Sequence, residues 1–178
     1  TTASMYQHLH PYRRGMDLEE GAAPVLLTTD KPEEPCTQIA GFGSASEATT
    51  ATGLSAEGWS LSQSIKKSLA MAEIRPEQID VLVGHGSGTQ LGDASELSAY
   101  KNIFGEQLPP FTAHKWCWGH VLGASALMSL VVGSEILQRQ EFFGLPYLDL
   151  PGRKTTTFKH ILVTALGFGG HSVSIVLK

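Results

Sequence analysis

Three stretches of this sequence set residues capable of acid–base chemistry on glycine-rich backbone. The first runs from Val81-Leu82-Val83 through Gly84-His85-Gly86-Ser87-Gly88-Thr89 to Asp93 and Glu96. The second is His114-Lys115-Trp116-Cys117-Trp118-Gly119-His120, and the third is Leu166-Gly167-Phe168-Gly169-Gly170. An aliphatic triplet reads as a buried strand. At the carboxyl end of such a strand, glycines let backbone approach a ligand while a histidine and hydroxyls face the crevice of an open α/β sheet.

A lone histidine at a strand end is more often a satisfied polar residue than a catalyst. Its neighbours change that reading, because Ser87 and Thr89 alternate with Gly86 and Gly88 and can line one side of a groove. His120 follows Gly119 and precedes an apolar helical stretch, so it sits near a helix amino terminus, where the dipole favours neutral imidazole. Two neutral histidines donating to one oxygen would stabilise an enolate or a tetrahedral intermediate. Lys115 and Glu96 form a candidate charge pair behind them, although each charge taken singly reads as a solvated surface group. Phe168, flanked by Gly167 and Gly169, reads as a tight turn or as an aromatic gate over a pocket. Neither Cys36 nor Cys117 shows the setting of an activated nucleophile, and Cys117, between two tryptophans, reads as a buried structural thiol.

The elements that must position these groups follow from the pattern. The expected strands are 22–29, 37–43, 81–83, 111–113, 161–165 and 172–177, with 22–29 and 37–43 pairing as a hairpin. The expected helices are 55–72, capped by Ser55 and striped by Trp59, Leu61, Ile65, Leu69 and Met71; 92–104; and 121–137, apolar nearly all round and therefore buried. Residues 5–14, 30–35, 44–54 and 141–157 read as loops or turns. Alternating strands and helices give the α/β class in one domain spanning 1–178.

Composition bounds the function. The chain has 178 residues, 42% hydrophobic and 17% charged, with net charge -4 and no basic cluster, which argues against a nucleic-acid partner. Its 2 cysteines and polar amino end suit a reducing, cytoplasmic setting without a signal peptide. The small polar residues and Glu135 of 121–137 make it a poor membrane span. Gly84-His-Gly86-Ser-Gly88 lacks the third glycine of a dinucleotide loop and the acid about 20 residues on. His114, Cys117 and His120 match no common zinc spacing, so no metal is expected.

Together the motifs His85-Gly-Ser-Gly-Thr89…Gly92-Asp-x-x-Glu96, Lys115-x-x-x-Gly-His120 and Gly167-Phe-Gly-Gly170 resemble the carboxyl-terminal half of a β-ketoacyl-acyl-carrier-protein synthase, a thiolase-fold condensing enzyme. The resemblance covers nearly the whole chain, and residues 1–30 resemble the tail of the preceding half. It implies half of a thiolase-like layered α/β/α fold, a mixed sheet with a buried helix. It implies His85 and His120 as catalytic histidines, Lys115 with Glu96 as its partner, Ser87 and Thr89 on a phosphopantetheine arm, and Phe168 as gate. The implied reaction is decarboxylative Claisen condensation of an acyl thioester with malonyl-acyl carrier protein, in fatty-acid or polyketide synthesis. The family's nucleophilic cysteine lies in the first half, so the implied partners are acyl carrier protein and an amino-terminal half, fused or separately encoded. No cofactor beyond the carrier's phosphopantetheine is implied. The alternative is an accessory, non-catalytic ketosynthase-like subunit. The sequence departs from the family at Ser87 (usually threonine), Trp116 (usually small), Ala126 (often glycine) and Ser172 (commonly asparagine), and Trp118 adds bulk near the site.

Overall fold

The computed structural model describes residues 10, 15–30, 36–47, 53–148 and 155–178. A mixed sheet is built from β1 (Ile39–Ser46), β2 (Val81–Val83), β3 (Phe111–Thr112), β4 (Ile161–Gly167) and β5 (His171–Leu177), in spatial order β1-β5-β4-β2-β3. β5 is antiparallel to both β1 and β4, while β2 is parallel to both β4 and β3. Side chains alternate across the sheet and split the core between its two faces. Leu82, Leu162 and Val176 point to one face, where they meet Leu61, Ile65 and Leu69 of α1 (Trp59–Met71) and Tyr100 of α2 (Gln90–Phe104). Val81, Val83, Ile161, Val163 and Leu177 point to the other, against Ile136 of α4 (Ser125–Arg139). A one-turn helix, α3 (Lys115–Trp118), links β3 to α4. The α/β class, the mixed sheet and the α/β/α layering are those expected.

Several elements differ from the sequence expectations. Residues 22–29 form no strand: they run over the surface, with Leu26 93% exposed, and the neighbour of β1 is β5, so the expected hairpin is absent. Ser55 does not cap α1, because its N–H and hydroxyl both donate to the Glu47 carboxylate, each at 2.8 Å. The helix starts instead after Gly58. α2 begins at Gln90 because the Thr89 hydroxyl accepts the Gly92 N–H. The stretch 121–137 divides into a short 3-10 turn at Leu122–Ala124 and then α4. α4 buries only the side facing the sheet, through Ser125, Ser129, Gly133 and Ile136, and leaves Leu127 and Val131 exposed among the described residues. Residues 44–46, read as the start of a loop, instead extend β1, paired with β5; the rest of the loop readings at 5–14, 30–35, 44–54 and 141–157 falls largely or partly outside the described residues.

The buried face of α1 keeps Leu61, Ile65 and Leu69 of its expected stripe but not its two ends. Trp59 and Met71 are exposed, whereas Ser60, Ser64 and Ser68, spaced one turn apart, are buried beside Leu61, Ile65 and Leu69. Ser60 Oγ lies 2.8 Å from Ser172 Oγ, and Ser64 Oγ lies 2.7 Å from Ser174 Oγ. Ser64 Oγ also donates to the Leu61 carbonyl, so its single proton is used there and Ser174 donates to it. Gly41 and Gly43 allow β1 to press against the helix backbone. A Cβ placed on Gly43 would lie far inside van der Waals contact distance of the Ser64 carbonyl oxygen, whereas nothing lies within 4 Å of one placed on Gly123. Gly43→Ala is therefore expected to destabilise the fold by about 1–3 kcal/mol in urea unfolding. Gly123→Ala should stay within about 0.5 kcal/mol of the parent.

Candidate active site

The strand ends place the site. β2 stops at Val83, and the backbone after it turns through Gly86 (φ 56°) and Gly88 (φ 73°), a left-handed conformation that favours glycine. These turns aim successive N–H groups at the first turns of α2. Glu96 is 1% exposed, and its Oε1 accepts the His85 N–H at 2.5 Å while its Oε2 accepts the Gly86 N–H at 2.9 Å. Asp93 Oδ1 accepts the Gly88 N–H at 3.0 Å. The Lys115 ammonium donates to the His85 carbonyl oxygen. The peptide groups on both sides of His85 are thus held by buried charged side chains, which make stronger hydrogen bonds than neutral ones.

Lys115 is buried, and burial lowers its pKa to about 8; attraction to the Glu96 carboxylate opposes that drop. The expected Lys115–Glu96 neighbourhood is present, with each residue reaching the backbone of the His85 loop. Lys115 does not line the pocket described below, so its place is behind His85.

His120 is held from two directions. Its N–H donates to the Asp17 carbonyl at 2.7 Å, and its carbonyl accepts the Glu19 N–H at 3.1 Å, so the segment around Leu18 runs beside it as a parallel bridge. Its ring Nδ1 accepts the Leu122 N–H at 3.0 Å. An imidazole nitrogen that accepts carries no proton, so the neutral ring bears its proton on Nε2. Burial, and after it the charge on Lys115, hold the His120 pKa below 6.5. The His85 and His120 rings meet edge to face, with centroids 5.3 Å apart.

Both rings open onto one pocket of about 450 Å³. Ser87 and Thr89 line it, with Gly167 and Phe168 of the turn between β4 and β5. Ser87 Oγ and Thr89 Oγ1 are 2.8 Å apart, and Thr89 Oγ1 also accepts the Gly92 N–H at 3.2 Å. Whichever hydroxyl donates to the other, one hydroxyl proton of the pair is left for a ligand. Phe168 is 73% exposed and Gly169 adopts φ 74° beside it. The rest of the lining is mainly apolar, including Met16, Leu54, Leu91 and Leu122. The candidate residues from all three sequence motifs therefore gather at one place.

Sequence reasoning missed several contributors. His171 lines the pocket, its Nδ1 2.8 Å from Ser46 Oγ. Tyr100 and Thr164 reach the Glu96 carboxylate from behind, at 2.7 and 3.2 Å. The expectation for Cys117 fails: α3 turns its thiol outward and it is exposed, with partial burial raising its pKa. His114, Cys117 and His120 do not converge, and among the described residues no group of His, Cys, Asp or Glu is placed to hold a metal ion. No helix among these residues is long and apolar enough to cross a membrane.

His114 packs on Trp118, ring centroids 4.8 Å apart, with its Nε2 3.4 Å from Ser129 Oγ and no partner at Nδ1 among the described residues. Burial first, then the charges of Lys115 and His120, lower its pKa from 6.5 to about 3. A folded pKa below the unfolded one gives stability that is present above pH 6.5 and lost as the pH falls toward 3. By pH 4.5 the loss is about 3 kcal/mol, from roughly two pH units at 1.36 kcal/mol each. His114→Phe keeps the stack on Trp118 and removes this titration. Unfolding in denaturant should show the variant gaining on the parent by about 2–3 kcal/mol between neutral pH and about pH 4.5. An unchanged gap would contradict this account of His114.

The family model "Beta-ketoacyl synthase, C-terminal domain" matches residues 36–143. A putative polyketide beta-ketoacyl synthase 1 from Streptomyces virginiae is 29% identical over 93% of this chain and 43% of its own length. The 3-oxoacyl-acyl-carrier-protein synthase 2 of Staphylococcus aureus is 25% identical over 94% of this chain and 47% of its own. Among solved structures, a ketosynthase in complex with its chain length factor from Xenorhabdus doucetiae matches 82% of this chain and 39% of its own, with TM-score 0.70 and 25% identity. A type II polyketide acyl carrier protein in complex with its ketosynthase bound to the hexaketide gives TM-score 0.69 and 27% identity over 80% of this chain and 38% of that one. The chain spans less than half the length of the curated relatives it matches. The chain belongs to the β-ketoacyl synthase family, as a carboxyl-terminal domain.

Proposed function

We propose that this chain supplies the histidine half of a condensing active site, and that an amino-terminal half supplies the nucleophilic cysteine. The substrates are an acyl group on that cysteine and a malonyl group carried on the phosphopantetheine of acyl carrier protein. The observation that carries this reading is the pair of rings, 5.3 Å apart on one pocket wall, with His120 Nδ1 committed to the Leu122 N–H. A ring fixed in this way presents an Nε2–H donor at neutral pH.

In this reading the malonyl thioester carbonyl sits against the two rings. The C–C bond to the carboxylate breaks, carbon dioxide leaves, and the electron pair passes into an enolate whose oxygen the ring N–H groups stabilise. The enolate carbon then attacks the acyl-cysteine carbonyl, forming the new C–C bond and expelling the thiolate. Donors already fixed by backbone need no reorganisation as the charge develops. Ser87 and Thr89, with their spare hydroxyl proton, are suited to the pantetheine arm, and Phe168 with Gly167 and Gly169 to a gate over it. Lys115 and Glu96 hold the His85 loop, and the Lys115 charge helps keep His120 neutral.

The test is release of carbon dioxide from malonyl-acyl carrier protein by the chain together with its amino-terminal half. His85→Ala and His120→Ala should each reduce turnover by about 10²–10³-fold. Unchanged turnover in both would overturn the assignment and favour an accessory role. Because burial and the Lys115 charge lower the His120 pKa, turnover should hold to lower pH than an unperturbed imidazole would allow and fall only as the ring protonates, which displaces the Leu122 N–H from Nδ1.

A further inference from the structure

Behind the two histidines lies a hydrogen-bond chain that the proposed reaction does not use directly. Tyr100 is fully buried, one helical turn after Glu96 on α2. Its hydroxyl donates to Glu96 Oε1 at 2.7 Å, and Thr164 Oγ1 on β4 lies 2.6 Å from the same hydroxyl. A phenol has one proton. Given to the carboxylate, it leaves the tyrosine oxygen to accept from Thr164. Burial, and then the charge on Glu96, raise the Tyr100 pKa well above 10, so that proton stays in place. Thr164 Oγ1 also donates directly to Glu96 Oε1 at 3.2 Å, so Thr164 and Tyr100 together hold the carboxylate, and Glu96 in turn takes the His85 and Gly86 N–H groups.

A carboxylate on a flexible side chain holds the His85 loop only as firmly as it is itself held. Its ties include the loop N–H groups it must position, and Tyr100 and Thr164 hold it from outside that loop. Thr164 follows Val163, which pairs with Val83 at the end of β2, so the anchor belongs to the same sheet that delivers His85. We propose that Tyr100 is a positioning residue for His85, acting through Glu96, with Thr164 as the tie to the sheet. This rests on the reading of His85 as an oxyanion donor. A displaced donor affects the step in which enolate charge develops more than it affects substrate capture.

The experiment measures decarboxylation of malonyl-acyl carrier protein by the chain with its amino-terminal half, comparing Tyr100→Phe, Thr164→Val, Glu96→Gln, the Tyr100→Phe/Glu96→Gln double variant and His85→Ala. Tyr100→Phe removes one oxygen and keeps the ring. It should lower kcat about tenfold with KM changed less than about twofold, and Thr164→Val should lower kcat about threefold in the same sense. In the Glu96→Gln background, Tyr100→Phe should add no further loss, because the group through which it acts is already altered. Undiminished kcat in Tyr100→Phe, or an equal loss with and without Glu96, would overturn the inference. If Tyr100→Phe does not fold, Thr164→Val reads the same chain, and an unchanged kcat there overturns it. His85→Ala separates the levels: full activity in that variant removes the functional reading, whereas loss in His85→Ala without loss in Tyr100→Phe removes only this inference.

Discussion

The buried carboxylate of Glu96 is the contact on which the site depends. It takes the N–H groups of His85 and Gly86, so the position of the first histidine is set by backbone, not by rotamer choice alone. A charged group at 1% exposure is unfavourable unless paired and hydrogen-bonded. Here Tyr100, Thr164 and the nearby Lys115 charge meet that need. The same groups also serve the second histidine, because the Lys115 charge that the carboxylate supports helps hold His120 neutral.

The second histidine is fixed by separate means. Asp17 and Glu19 hold its peptide groups, and Leu122 holds its ring. The two rings thus arrive at one pocket on independent supports: one from the β2–α2 loop, the other from the α3–α4 connection and the amino segment. This separates their failure modes. Loosening the carboxylate network acts on His85 directly, and reaches His120 only through the Lys115 charge.

Much of this was legible in the sequence where the signal is local. An aliphatic triplet, a glycine-laced turn and an acid one helical turn into the next element give β2, the loop and Glu96 directly. What was not legible is set by distant pairing. Residues 22–29 have the composition of a strand, but strand formation needs a partner, and β5 occupies the place beside β1. The serine face of α1 reads as solvent-exposed until Ser172 and Ser174 supply partners more than a hundred residues away. Thr164 sits 64 residues from Tyr100, so no spacing rule connects them. Cys117 misled for a related reason: apolar surroundings in sequence do not say which side a short helix turns outward.

The central claim is that His120 stands as a neutral ring with its proton on Nε2. Nitrogen-15 chemical shifts of the histidine rings, with long-range couplings to the ring carbons, report this at neutral pH. The account predicts a protonated Nε2 and a bare Nδ1 for His120. A proton on Nδ1, or an imidazolium at neutral pH, would contradict it.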